Sequence, residues 1–309
     1  MSIQIIKQGI MDTLQDKGRY GFQHIGIPPC GYLDYLSAQL ANVIVGNPKE
    51  APIFELHFPA SCFIFNEAHT ICISGANFVP VLNYKSIALN TPIQVCKNDT
   101  LHFMQPLLGK TSYLSIKGNI DSNAWLYSKS DFTSQLKNND QFNIIAWDGD
   151  IKKNSDKTEE QESQQYNIDV IQKHIFNSNE IRFIPGPQWN DLTNESISNI
   201  LKQPFNTSLN SNRMGYTLKG PSLQLIEQKS YLSSAVTRGT MQLLPSGEVI
   251  VLMANHQTIG GYANIGQIIL VDLPKLVQHK SELPFRFSIS NVETAHSEYI
   301  QMQKCFSQY

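Results

Sequence analysis

Glu248-Val249-Ile250-Val251-Leu252-Met253-Ala254-Asn255-His256-Gln257-Thr258-Ile259-Gly260-Gly261-Tyr262 changes character a third of the way along. Residues 248–252 are mostly β-branched or aliphatic and predict a buried strand. From Met253 to Tyr262, polar side chains and a Gly-Gly pair crowd into the place where that strand ends. An ordinary hairpin connection needs only about two to five residues and a glycine. A longer polar strand end has two readings: it caps itself, or it holds groups rigidly toward a ligand, with glycines letting that ligand approach the backbone.

The same strand grammar runs outward from this stretch. Ser61–Phe65, His69–Ser74, Thr100–Met104, Thr111–Ile116, Ile181–Ile184 and Phe285–Ile289 alternate or run apolar over short lengths. Many short strands separated by turns predict a mainly β chain, a barrel or a sandwich. Helices are few. Asp34 can cap a helix over 34–45, which Gly46-Asn47-Pro48 then stops. Asp272-Leu273-Pro274 starts a second with an acidic cap and an early proline. Asn291–Gln303 is a third candidate. Asp148–Gln165 is polar and nearly free of apolar residues, so it reads as a mobile loop or linker. The expected organisation is a β-rich N-terminal domain over 1–150, a linker over 151–167, and a β-rich C-terminal domain over 168–309.

With 309 residues, 41% hydrophobic and 16% charged, the chain has ample material for a core. A net charge of −2 without a basic block argues against nucleic acid as a partner. No apolar run is long enough to span a bilayer and no signal-like segment opens the chain, so a cytoplasmic protein is expected. The five cysteines include no Cys-x-x-Cys pair, which gives neither a disulfide framework nor a metal site. Cys62, Cys72 and Cys96 are expected to be buried thiols; Cys30 lies in a loop between Pro29 and Gly31. Arg19, Arg182, Arg213, Arg238 and Arg286 are the arginines among 24 cationic residues. A chain that otherwise uses lysine keeps arginine where the planar fork matters.

Several motifs could carry chemistry. Gly109-Lys110-Thr111 suggests a phosphate loop, but Met104 stands where the leading glycine is needed, and a hairpin turn is the simpler reading. Asp16, Arg19 and His24 sit among glycines, where a carboxylate, a guanidinium and an imidazole could converge; an Asp16–Arg19 ion pair stitching a turn is the structural alternative. Asp34 reads either as a helix cap or as an acid. Arg213, in Ser211-Asn212-Arg213-Met214-Gly215, could present its fork to an anion or hold carbonyls across a turn.

Taken in order, these segments resemble one family. Gln15-Asp16-Lys17-Gly18-Arg19-Tyr20-Gly21 with His24, Gly31-Tyr32-Leu33-Asp34, Ala41–Asn47, Glu55, Ser74-Gly75-Ala76, Pro185-Gly186-Pro187, Asn212–Gly215 and Gln257–Tyr262 match the biotin-dependent carboxyltransferase-like proteins. These include the C-type subunit of ATP-dependent 5-oxoprolinase, the Kip-type kinase-inhibitor antagonist and allophanate hydrolase subunit 2. The resemblance implies a cyclophilin-like β-barrel architecture with a few short helices. It also implies a hetero-oligomer with a Kip-inhibitor-like B-type subunit and a third subunit, which together hydrolyse 5-oxoproline to glutamate with ATP. Biotin would enter only on another protein.

The residues expected to act under that resemblance are His24, Asp34 and Arg213 in proton handling and anion stabilisation. Asp16, Arg19, Gln257, Thr258, Gly260, Gly261 and Tyr262 would bind substrate. The alternatives are a regulator that antagonises a kinase inhibitor and a carboxyltransferase or allophanate hydrolase-type subunit. The sequence departs from the family pattern where Asn212 and Asn255 replace carboxylates, His256 replaces arginine and Ala263 replaces proline. An amide cannot take up a proton at neutral pH.

Overall fold

Ile3 and Ile5 are fully buried while their neighbours in Ser2–Lys7 are not, the period-two signature of a strand with one face on a core. A computed structural model of the chain describes residues 2–130, 135–147 and 157–306. Mainly β structure with a few short helices is found throughout. The chain forms two compact units: Met1–Arg19 with Asp34–His174 and Gln303–Tyr309, and Tyr20–Leu33 with Ile175–Met302. Tyr20–Leu33, which a linear division near residue 150 assigns to the N-terminal half, therefore belongs with the C-terminal unit.

In the first unit, a seven-stranded sheet runs in the order Asn119–Ile120, Gln141–Ile145, Ser2–Lys7, Cys62–Phe65, Thr100–Phe103, Pro80–Leu82, Lys85–Ser86. A five-stranded sheet runs Thr13–Gln15, Ile53–His57, Leu108–Ile116, His69–Asn77, Ile93–Val95. Ile3, Ile5, Phe54, Phe63, Phe65 and Leu114 meet in one core. Each such side chain contributes about 1.5–3 kcal/mol on burial.

The helix Tyr35–Ile44 is buried along almost its whole length rather than on one stripe, as an element enclosed on all sides must be. The family-like asparagines beside it are structural. Asn42 donates to the Ala51 carbonyl at 2.8 Å and accepts from Ser115 Oγ at 2.7 Å. Asn47 donates to the Ile116 carbonyl and accepts the Gly118 amide, both at 2.8 Å.

The second unit is built on a seven-stranded sheet in the order Asn206–Thr207, Gly215–Lys219, Val249–Leu252, Thr240–Leu243, Ala263–Ile268, Glu180–Pro185, Arg286–Ile289. Only Glu180–Pro185 and Arg286–Ile289 pair in parallel among these. A two-stranded ribbon joins Ser234–Ala235 to Ile259–Gly260. Phe183, Phe205, Phe285 and Phe287 form an aromatic cluster in the core.

Four expectations are corrected here. Gly109-Lys110-Thr111 is neither a phosphate loop nor a hairpin turn: it opens the strand Leu108–Ile116, where Gly109 at φ 77° accommodates a register shift between Leu108 and Ser112. Cys96 is exposed in the turn after Ile93–Val95. Asp272 makes no side-chain cap for the helix Leu273–Gln278; its carboxylate instead binds Arg182 and Lys275, at 2.9 and 2.8 Å. The polar segment read as a loop is helical from Lys157, within Lys157–Phe176; its residues 148–156 lie outside the described residues.

Candidate functional site

The strand Val249–Leu252 ends at a turn whose amides and carbonyls are spoken for by neighbouring loops of the same unit. The Ala254 carbonyl accepts the Cys30 amide at 3.0 Å, and the Asn255 amide donates to the Arg213 carbonyl at 2.8 Å. Arg213 returns the contact, with Nη2 donating to Asn255 Oδ1 at 3.4 Å and to the Gly31 carbonyl. Arg238 Nη1 donates to the Tyr32 carbonyl at 2.7 Å, and its Nη2 to the Leu33 carbonyl. Two guanidiniums thus hold three successive carbonyls of the 31–33 segment. That segment is sharply bent: Cys30 and Gly31 both have left-handed φ, 60° and 89°, which costs a non-glycine residue about 1 kcal/mol or more. Four motifs that are far apart in sequence meet here, namely Gly31-Tyr32-Leu33, Arg213, Arg238 and Ala254-Asn255-His256.

His256 is buried in this turn, with Nδ1 2.5 Å from the Gln257 carbonyl oxygen. Burial pushes its pKa below the usual imidazole value. The carbonyl opposes that push, and the charge of Arg238 adds to it. Gln257 is exposed, and Thr258 is buried with its carbonyl accepting the Val236 amide at 3.1 Å. Gly260 lies in the ribbon against Gln242, whose Nε2 would stand 2.5 Å from an added Cβ. Gly261 and Tyr262 line a cleft of about 740 Å³ together with Gln228, Lys229, Tyr231 and Ser246. Tyr231 donates to Asp191 Oδ2 at 2.9 Å, and that carboxylate also pairs with Lys229 at 3.1 Å. His24 is exposed on the short helical turn Gln23–Ile25.

The first unit gathers the other expected residues into two buried networks. Asp16 accepts from the Gly18 amide at 2.8 Å, from Ser128 Oγ and Ser130 Oγ at 2.6 Å each, and from the Lys129 amide at 2.6 Å. Arg19 lies over the Trp125 ring at 4.9 Å and donates to the Trp125 and Ser130 carbonyls. Its Nη1 is buried with no hydrogen-bond partner. The alternative Asp16–Arg19 ion pair is absent among the described residues; Asp16 spends its charge on the 128–130 loop instead. Lys129 Nζ donates to Asn119 Oδ1 and the Ile120 carbonyl, and burial lowers its pKa against the pull of Asp121 and Asp16.

Asp34 caps the helix Tyr35–Ile44 through the Ser37 amide at 3.0 Å and also accepts from Ser37 Oγ at 2.6 Å. Its own amide donates to the Tyr113 hydroxyl at 2.7 Å, and that hydroxyl donates to Glu55 Oε2 at 2.9 Å. Burial, reinforced by Glu55 and Asp34, holds the Tyr113 pKa well above the usual phenol value.

A family model described as "Carboxyltransferase domain, subdomain A and B" matches residues 25–289. The chain belongs to that family. It is 30% identical to the 5-oxoprolinase C-type subunit of Escherichia coli over 99% of this chain and 97% of that protein. It is 27% identical to the corresponding 5-oxoprolinase subunit of Haemophilus influenzae over 92% of this chain and 89% of that one. The crystal structure of the K. lactis urea amidolyase superposes with a TM-score of 0.86 at 23% identity, over 99% of this chain. This chain spans 20% of that much longer protein, so the likeness is one of fold.

Arg238, Trp125, Ser128 and Ser130 do not stand out as site residues in the sequence, and His256 does so only as a departure from the family pattern within the polar strand end. The rarity of arginine is a signal for Arg238. For Ser128 and Ser130 no local signal exists, because their partner Asp16 is more than a hundred residues earlier.

Proposed function

We propose that this chain is the C-type subunit of an ATP-dependent 5-oxoprolinase, hydrolysing 5-oxoproline to glutamate in a hetero-oligomer with a Kip-inhibitor-like B-type subunit and a third subunit. The observation that carries the reading is the end-to-end match to the C-type 5-oxoprolinase subunit of Escherichia coli, which covers nearly all of both chains. A lactam is a weak electrophile, so its carbonyl must be activated and the charge developing on it stabilised. In this reading Arg19, with its unpartnered buried Nη1, and Arg213 supply positive charge. Asp16 holds the loop that orients Arg19. Gln257, Thr258, Gly260, Gly261 and Tyr262 contact substrate, and His24 and Asp34 remain the proton-handling candidates named from sequence.

In this reading ATP enters at the level of the complex. A P-loop needs a strand–loop–helix cradle of backbone amides, whereas Gly109-Lys110-Thr111 is part of a strand here. Those three residues therefore form no phosphate loop, and in this reading the chain contributes to the amide end of the reaction. No helix among the described residues is long and apolar enough to cross a membrane.

The test mixes the purified subunits with 5-oxoproline and ATP and measures glutamate. Glutamate formation that requires this chain is the expected result; none from a verified complex overturns the reading. A second reading, a carboxyltransferase-type or allophanate hydrolase-type subunit receiving biotin on another protein, is favoured by the match to the carboxyltransferase family model. Carboxyl transfer from a biotinylated carrier protein, with no glutamate formed, is the outcome that selects it.

A further inference from the structure

The chemistry assigned above gives no role to the buried imidazole in the strand-end turn of the second unit. His256 is 2% exposed, and its amide donates to the Met253 carbonyl at 3.1 Å, closing the turn after Val249–Leu252. Its Nδ1 is 2.5 Å from the Gln257 carbonyl oxygen. A carbonyl only accepts, so Nδ1 carries the proton and Nε2 keeps its lone pair. Among the described residues nothing bonds Nε2, and Nε2 is also not one of the partnerless polar atoms sealed from solvent. The ring is fixed in orientation and tautomer, with one open acceptor.

The charged groups bordering this turn within the unit are both cations. Arg238 acts on the ring electrostatically, and Arg213 is bonded to the adjacent Asn255. Burial and Arg238 both disfavour the imidazolium, which keeps the ring in its accepting form at neutral pH. Asn255, next to it, is an amide whose oxygen already accepts from Arg213. His256 is the one group of this turn able to take up a proton.

We propose that His256 is a further proton-handling residue of this site, beside the His24 and Asp34 candidates, receiving through Nε2 a proton of the water that attacks the substrate's amide carbon. The proposal rests on the cyclic-amide reading above. As the water O–H bond breaks, the oxygen forms its new bond to carbon, the carbonyl π pair moves onto the carbonyl oxygen and the proton moves to Nε2. When that pair returns to re-form the C=O bond, the C–N bond breaks and its electron pair stays on the ring nitrogen. That nitrogen takes the proton back from Nε2, and the neutral imidazole is restored.

Two measurements test this separately from the function itself. The first follows glutamate formation by the full complex from about pH 5 to 9. In the wild type the rate falls on the acid side, with a midpoint below the ordinary imidazole value of about 6.5. His256→Gln keeps a donor for the Gln257 carbonyl but cannot accept a proton. It should lose about 100-fold in kcat, with little change in KM and no acid limb. Retained kcat with the same acid limb overturns the proposal.

The second uses the chain whatever its activity: carbethoxylation by diethyl pyrocarbonate, located by mass spectrometry, with imidazole nitrogen NMR. Modification at His256 and an Nδ1-protonated tautomer are expected. An inert His256, or an Nε2-protonated one, also overturns the proposal. If the wild-type complex makes no glutamate while His256 reacts as expected, the cyclic-amide reading fails and His256 stands as an open acceptor for another substrate.

Discussion

Arg213 Nη2 donates to the carbonyl oxygen of Gly31, 182 residues earlier in the chain. The contact makes Arg213 a holder of backbone as well as a source of charge. Arg213→Ala should therefore lower stability by about 2 kcal/mol, the usual cost of losing a charged hydrogen bond to a partly buried carbonyl. It should also abolish turnover while the assembly with its partners persists. Chemical denaturation and size-exclusion chromatography with the partners check both. Arg213→Lys should recover part of the stability, since an ammonium can reach one carbonyl but not reproduce the fork. Unchanged turnover in Arg213→Ala would remove this residue from the site.

Asp16 gathers four donors from Gly18, Ser128, Lys129 and Ser130. Removing the carboxylate leaves buried hydroxyls and amides unpaired. Asp16→Ala should cost about 3 kcal/mol, seen as an earlier denaturation midpoint. Because Arg19 also binds the Ser130 carbonyl, proteolysis should find the 125–130 loop loosened as well.

Asp12 gives a pH dependence of known sign. Burial pushes its carboxyl from 3.8 up to about 6, against the lowering effect of the His57 and Ser61 amides it accepts. The fold favours the protonated form. The stability this group contributes is therefore fully present below about 3.8 and is lost as pH rises through about 6. The change across that window is about 3 kcal/mol. Unfolding free energies measured at intervals between those values should show this fall in the wild type, and Asp12→Asn should flatten it.

Gly260 and Gly261 make a paired comparison. A Cβ on Gly260 would meet Gln242 Nε2 at 2.5 Å, whereas on Gly261 the nearest atom is Ser233 Oγ at 3.3 Å. Gly261→Ala should leave the denaturation midpoint nearly unchanged. If its backbone faces substrate across the 740 Å³ cleft, the same variant should raise KM. Gly186→Ala is the steric control: its Cβ would lie 2.3 Å from the Asn264 carbonyl oxygen, and a loss of about 2 kcal/mol or more is expected.

The β character of the chain was legible because alternation and apolar runs are local. Thr111–Ile116, Ile181–Ile184 and Val249–Leu252 fall within observed strands. What stayed hidden is non-local or turns on a competition. Lys157–Gln165 lacks apolar residues, yet Lys, Glu and Gln are good helix formers, and propensity alone favours the helix found there. Asp272 has the position of a cap but faces Arg182 and Lys275, and charge pairing took its carboxylate. Within the site, the Arg213–Asn255 pairing joins two motifs visible in sequence. The use of Asp16 to hold Ser128 and Ser130 is not visible there, because nothing in the 125–130 stretch announces a distant carboxylate.

The membership of Tyr20–Leu33 in the second unit sets an order on biosynthesis. Those residues leave the ribosome long before the strands from Ile175 onward exist to receive them. Until then Gly31, Tyr32 and Leu33 lack Arg213 and Arg238 for their carbonyls, and the first unit itself still lacks its last segment, from Gln303 onward. A fragment beginning at Ile175 would carry Arg213 and Arg238 without their clients. The two units are accordingly not exchangeable modules, and swapping the C-terminal half between relatives would have to carry this short N-terminal segment with it.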